Sequence, residues 1–196
     1  MMMTSLAMVA LVLAATGCRQ SDDARPEHIR QARTSTQTAQ TMDTLFALTS
    51  TAFGEGAPIP RQYTCDDRNI APPLRWSASP GNAKSLALIL DDPDAPHGIW
   101  VHWVLFNIPP TVNALEEGIS AGQANAMSIM NGKNSFGNTG YGGPCPPSGT
   151  HHYYFRLYAL DTMLPLKEGA TRADLDAAMK GHMVARTTLM GTYQRK

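Results

Sequence analysis

The sequence predicts a mainly β domain, two antiparallel sheets packed face to face with a few short helices at the periphery. Apolar residues recur with a period of two in several short runs, and proline- and glycine-rich loops separate those runs. Helical spacing shows clearly only once, near the end of the chain.

Taken in order, Leu45–Leu48 and Ser85–Leu90 are apolar runs of strand length. In Val101–Asn107, alternation places Val101, Trp103 and Leu105 on one face and His102, Val104 and Phe106 on the other. Tyr153–Leu160 repeats the pattern, with Tyr153, Phe155, Leu157 and Ala159 together. Between these runs lie APIPRQYTC, APPLRWSASPGN, DDPDAPHG and NTGYGGPCPPSGT, whose prolines fix φ and remove ladder donors. Thr171 predicts a helix start, with Asp174 three residues on as a weaker capping box than Glu or Gln would give. Leu175, Ala178, Met179 and His182/Met183 follow helical spacing, and the terminal ARTTLMGTYQRK reads as a last strand.

The N-terminus has a different character. Residues 1–17 are apolar and uncharged, and Leu6–Ala15 is shorter than the about 20 apolar residues that span a bilayer. That length suits the h-region of a secretory signal. Ala15, Thr16 and Gly17 before Cys18 resemble a lipoprotein signal, so the expectation is export, with Cys18 lipidated as a membrane anchor. A periplasmic or secreted protein with an unlipidated Cys18 is the alternative. Residues 18–43 are polar and rich in Thr and Gln, too poor in apolar surface to offset ordering entropy, and are expected to form a tether. The folded domain is then 44–196, long enough for a full core.

Formal net charge is zero and no basic run stands out, so nothing supplies the positive face that nucleic acid requires. Cys65 and Cys145 form an even pair in an expected oxidising compartment. Two readings stay open for them, a disulfide or two buried thiols.

Polar residues gather in three segments: Asp91–His102, Tyr141–Pro147 and His151–Tyr153. His102 sits between Val101 and Trp103, so its ring nitrogens need partners; Asp92, Asp94 or a backbone carbonyl are candidates. A carboxylate partner would raise its pKa towards protonation at neutral pH. Asp91 reads as a strand-end residue and His97 as loop surface. Histidine, aspartate and tyrosine held in rigid loops suit a small anion pocket. Asp residues beside Pro93 also serve as ordinary turn formers. No HExxH, CxxC, GxSxG or phosphate-loop spacing is present, which leaves metal, nucleophilic and nucleotide chemistry without a motif, and no cofactor is expected.

DPDAP followed by HW and FNIP, then YGGPCPPSGTHHYYFRLYAL, resembles the phosphatidylethanolamine-binding protein family, in its bacterial Raf-kinase-inhibitor-like branch. FGEGAPIPRQYTCDDRNIAPPLRWS and KSLALILDDPDAP add to the resemblance, which covers roughly residues 44–193. It implies a two-sheet β-sandwich and a pocket accepting a phosphate, acetate or phospholipid head group. Carried over by position, the ligand-binding residues are Asp92, Asp94, Pro96, His102, Pro144, His151 and Tyr153. His152 stands where the family commonly has Arg. The expected function is binding of a phosphate-type anion, with no enzymatic activity. The alternative is an inhibitor or interaction protein acting on a kinase, protease or host partner through its loops, a homodimer being open; a hydrolase ranks last. An exported lipoprotein would not meet a cytoplasmic kinase.

Overall fold

The computed structural model describes residues 46–195. The expected signal, Cys18, the tether and the first two residues of the expected domain lie outside the described residues. The strands are β1 (Leu48–Thr49), β2 (Leu74–Trp76), β3 (Ser85–Asp92), β4 (Trp100–Ile108), β5 (Ala114–Leu115), β6 (Met130–Asn131), β7 (Thr150–Leu160) and β8 (Met183–Gln194). Two short helices, α1 (Ala121–Ala126) and α2 (Arg172–Met179), and a 3-10 turn at Arg61–Tyr63 complete the elements. The strands form a three-stranded antiparallel sheet, β1-β2-β5, and a five-stranded one, β6-β4-β3-β7-β8. The mainly β, two-sheet architecture is the one the sequence predicts.

β3 is buried along its whole length because both of its faces are covered. Leu86, Leu88 and Leu90 meet Leu48, Leu74, Trp76 and Leu115 of the small sheet, with Phe155 and Leu157 beside them. Ala87 and Ile89 point the other way, under Leu175 and Met179 of α2. Leu175 and Met179 are four apart and so share the buried face of that helix. Asp91 continues the outer face: buried, it accepts from Arg156 Nε of β7 at 3.0 Å and Arg172 Nη1 of α2 at 2.8 Å. Two cations around one carboxylate thereby fasten the helix to the sheet. Asp92, the next residue, faces the opposite side.

Two expectations are corrected. The helix does not continue to His182/Met183. Its Thr171–Asp174 capping box is present, but Lys180 is extended and Gly181 takes φ +83°, so the chain turns into β8. Alternation along β4 is also broken. Leu90 pairs with Trp103 and Asp91 with Val101, leaving His102 as the extra residue of a β-bulge. Val101 therefore packs with Val104 and Phe106 rather than with Trp103 and Leu105.

Candidate functional site

The bulge re-aims His102. Its ring meets Tyr153 edge to face at 5.3 Å, on the inner face of the large sheet, and meets Phe136 at 5.5 Å from the other side. Nδ1 of His102 lies 2.8 Å from the Gly142 carbonyl, which can only accept, so Nδ1 carries the hydrogen. The Gly142 N–H donates back to the His102 carbonyl at 2.9 Å, which holds the YGGPCPP loop against β4. The partner is a backbone carbonyl rather than a carboxylate. Burial, with the residue only 2 % exposed, draws the His102 pKa below the ordinary histidine value, weakly opposed by the Gly142 carbonyl and the Asp92 charge. Of the candidate partners it is the backbone carbonyl that is realised, so the upward shift a carboxylate partner would bring does not arise.

Asp92 instead orients the second histidine. His151 shares a β7 face with Tyr153 and Phe155, and its Nδ1 is 2.7 Å from Asp92 Oδ2, both groups almost fully buried. The other oxygen, Oδ1, accepts from the Asp94 N–H at 2.8 Å and closes the turn around Pro93. The Asp94 carboxylate is exposed and takes both the backbone N–H and Nδ1 of His152, which pulls its pKa below the usual carboxylate value. Tyr153 lies behind the two imidazoles. Its buried hydroxyl makes no hydrogen bond of good geometry, and burial, then the nearby Asp92 charge, pushes its pKa up.

These side chains border a cavity of about 320 Å³ lined by Asp92, Ala95, Pro96, His97, Trp100, His102, Phe136, Cys145, Pro147 and His151. Of the expected ligand-binding residues, Asp92, Pro96, His102 and His151 line it, whereas Asp94, Pro144 and Tyr153 do not. His97 joins the lining from its exposed loop. Trp100 and Phe136, unmarked by sequence reading, form the apolar mouth with rings 5.3 Å apart in an edge-to-face pair. They are 36 % and 43 % exposed, next to the exposed Ile99. Phe136 is presented by a turn in which Asn134 Oδ1 accepts from the N–H groups of Phe136 and Asn138. It lies so close to the loop that a Cβ on Gly142 would stand 2.7 Å from its ring, so a larger residue there would displace the ring from the mouth.

The structure resolves the cysteine pair in favour of a disulfide, with Cα atoms of Cys65 and Cys145 5.4 Å apart. A second cavity, about 390 Å³, lies among Arg61, Asp66, Tyr193, Gln194 and Arg195. Its Asp66 carboxylate is already taken by the Tyr193 hydroxyl and Arg195, and it contains no histidine. Among the described residues no three His, Cys, Asp or Glu side chains are placed to hold a metal ion. The first cavity is therefore the chemically distinctive one, apolar at its mouth with two imidazoles and one carboxylate deeper in.

The family model for phosphatidylethanolamine-binding proteins matches residues 49–194, which spans both sheets and every residue of this cavity. The chain belongs to the phosphatidylethanolamine-binding protein family. A UPF0098 protein of Methanothermobacter thermautotrophicus is 54 % identical over 145 residues, covering 74 % of this chain and 95 % of the relative. One from Chlamydia muridarum is 46 % identical over 153 residues, covering 76 % and 98 %. The crystal structure of a phosphatidylethanolamine-binding protein homologue from Chlamydia trachomatis superposes with a TM-score of 0.71 at 44 % identity, covering 77 % of this chain and 98 % of that one. Escherichia coli YbcL, described as a member of the mammalian family, gives 0.72 at 31 % identity, covering 78 % and 99 %.

Proposed function

We propose that this member of the phosphatidylethanolamine-binding protein family binds a small phosphate-type anion between His102 and His151, a phospholipid head group being one source of that phosphate. The observation that carries the reading is the pairing of the two rings: each Nδ1 is used internally, by Gly142 or Asp92, which leaves Nε2 of each for a ligand. A neutral His102 with its hydrogen on Nδ1 offers Nε2 as an acceptor. The anion therefore either brings a hydroxyl proton or binds together with a proton that makes the ring cationic. The apolar mouth of Trp100, Phe136 and Pro96 favours a phosphate carrying an organic group over the bare ion. Binding rather than turnover is the reading, because no serine, threonine or free cysteine nucleophile lines the cavity.

Calorimetric titration with inorganic phosphate and phosphoethanolamine tests this. His102→Ala and His151→Ala should each abolish measurable binding while leaving the domain folded, and unchanged affinity in both would sink the assignment. We further read the protein as exported and held at a membrane through Cys18, on the strength of its N-terminal sequence; metabolic labelling with a fatty acid, lost in Cys18→Ala, checks that. The exposed Ile99, Trp100 and Phe136 support a second reading, a protein partner docked at the mouth. Capture of one partner by wild type and by His102→Ala alike, but not by Trp100→Ala, would favour it.

A further inference from the structure

The disulfide and the cavity share a wall. Cys145 lines the cavity, and Cys65 belongs to the segment that follows the 3-10 turn. The two segments are laced together besides: Cys65 N–H donates to the Pro144 carbonyl at 3.1 Å, Gly143 N–H to Asn69 Oδ1 at 2.7 Å, and the Tyr141 hydroxyl to the Tyr63 carbonyl at 2.6 Å. There is no slack between them, since a Cβ on Gly143 would stand 2.5 Å from the Tyr63 carbonyl oxygen. Three residues before Cys145, the Gly142 carbonyl fixes the hydrogen of His102. Pro144 stiffens the run between, and Gly143 has no room to move, so a displacement of Cys145 is passed along the loop rather than absorbed by it.

We propose that the redox state of the Cys65–Cys145 pair sets whether the cavity is in its ligand-competent form. The ligand in question is the phosphate-type anion of the preceding section, and the inference rests on that reading. A thiolate of an external dithiol attacks one sulfur, forming a mixed disulfide and releasing one cysteine as thiolate. The second thiol of the reagent then displaces the other cysteine. The reagent leaves as its own disulfide, and the two electrons, with two protons, end on Cys65 and Cys145 as thiols. Without the bond, hydrogen bonds alone hold the loop to the Cys65 segment, so the Gly142 carbonyl is held less tightly on His102 and the imidazole loses part of its fixed orientation. Coupling is reciprocal: a ligand that prefers the bonded form protects the disulfide by the same factor by which reduction weakens its binding.

The test uses the whole chain. Affinity for inorganic phosphate and for phosphoethanolamine is measured by calorimetry before and after reduction with dithiothreitol, with near-ultraviolet circular dichroism recording tertiary packing. In parallel, the bonded fraction in dithiothreitol redox buffers is read by alkylation and mass spectrometry, with and without saturating phosphate. Reduction should weaken both probes about tenfold, and saturating phosphate should shift the redox equilibrium constant by the same factor. A folded dithiol form that binds within twofold of the bonded form overturns the proposal. Reduction that unfolds the whole domain also overturns it, since the coupling would then be to folding and not to the site. If the bonded form takes up neither probe, the anion-binding reading fails, and the coupling is judged on the His102 Nδ1 proton resonance. Loss of that resonance on reduction of a still-folded domain supports the coupling, and an unchanged resonance overturns it.

Discussion

Replacing both cysteines by alanine, Cys65→Ala/Cys145→Ala, removes the cross-link without introducing a polar group. The bond joins positions 80 residues apart, so it confines much of the unfolded domain. Loop-closure entropy for that length corresponds to about 4.5 kcal/mol at 25 °C, lost because the unfolded chain becomes freer. A domain of this size typically has about 5–15 kcal/mol in hand, so the variant should still fold. Its melting temperature should fall by roughly 10 to 15 °C, at a few degrees per kcal/mol. Urea unfolding of both proteins under non-reducing conditions measures the loss directly, and the denaturant slope should rise as the unfolded ensemble expands. A loss below about 1 kcal/mol with an unchanged slope would refute the reasoning, showing that the unfolded chain is confined by something other than this bond.

The remaining predictions concern His102 and the glycines. Because burial holds the His102 pKa below its unfolded value, the unfolded chain gains this proton first as pH falls. Stability from this group is present above the unfolded value of about 6.5 and is lost as pH drops from there towards the folded value. Phosphate affinity should run the opposite way, strengthening with acid as the ring becomes a cation; comparison with His102→Gln, which should flatten both profiles, isolates the contribution. Gly143→Ala should destabilise by about 1–3 kcal/mol in thermal or urea unfolding, because the added Cβ meets the Tyr63 carbonyl and Asn69 with no room to shift. Gly122→Ala in α1, which meets nothing, should be neutral or stabilise by up to about 1 kcal/mol.

β3, β4 and β7 were legible because each buries side chains over eight or more residues, long enough for a continuous apolar run in β3 and a period of two in β4 and β7 to stand out. β1, β2, β5 and β6 are two or three residues long, and no periodicity fits in such a span. The bulge at His102 was invisible for a different reason. Alternating apolar residues continue through it, and only pairing with β3 reveals that one residue is unmatched. Which partner His102 takes was left open for a related reason: the sequence places two carboxylates near it, but Asp92 turns to His151 and Asp94 to His152, and the Gly142 carbonyl takes its Nδ1 hydrogen. Phe136 gave no signal, being one apolar residue in a polar loop whose place at the mouth depends on the Asn134 turn. That Cys65 and Cys145 are bonded follows from the approach of two loops, which spacing along the chain does not encode.

The unmatched His102 also bears on how such a site can be lost. A chain lacking that single residue would pair Leu90 with Trp103 and Asp91 with Val101 just as this one does, now without an interruption at that point. Its sheet would be more regular, and no imidazole would stand opposite His151. On the proposed reading, recognition of the anion is thus carried by an irregularity in the sheet, and its absence should show in what the protein recognises rather than in whether it folds.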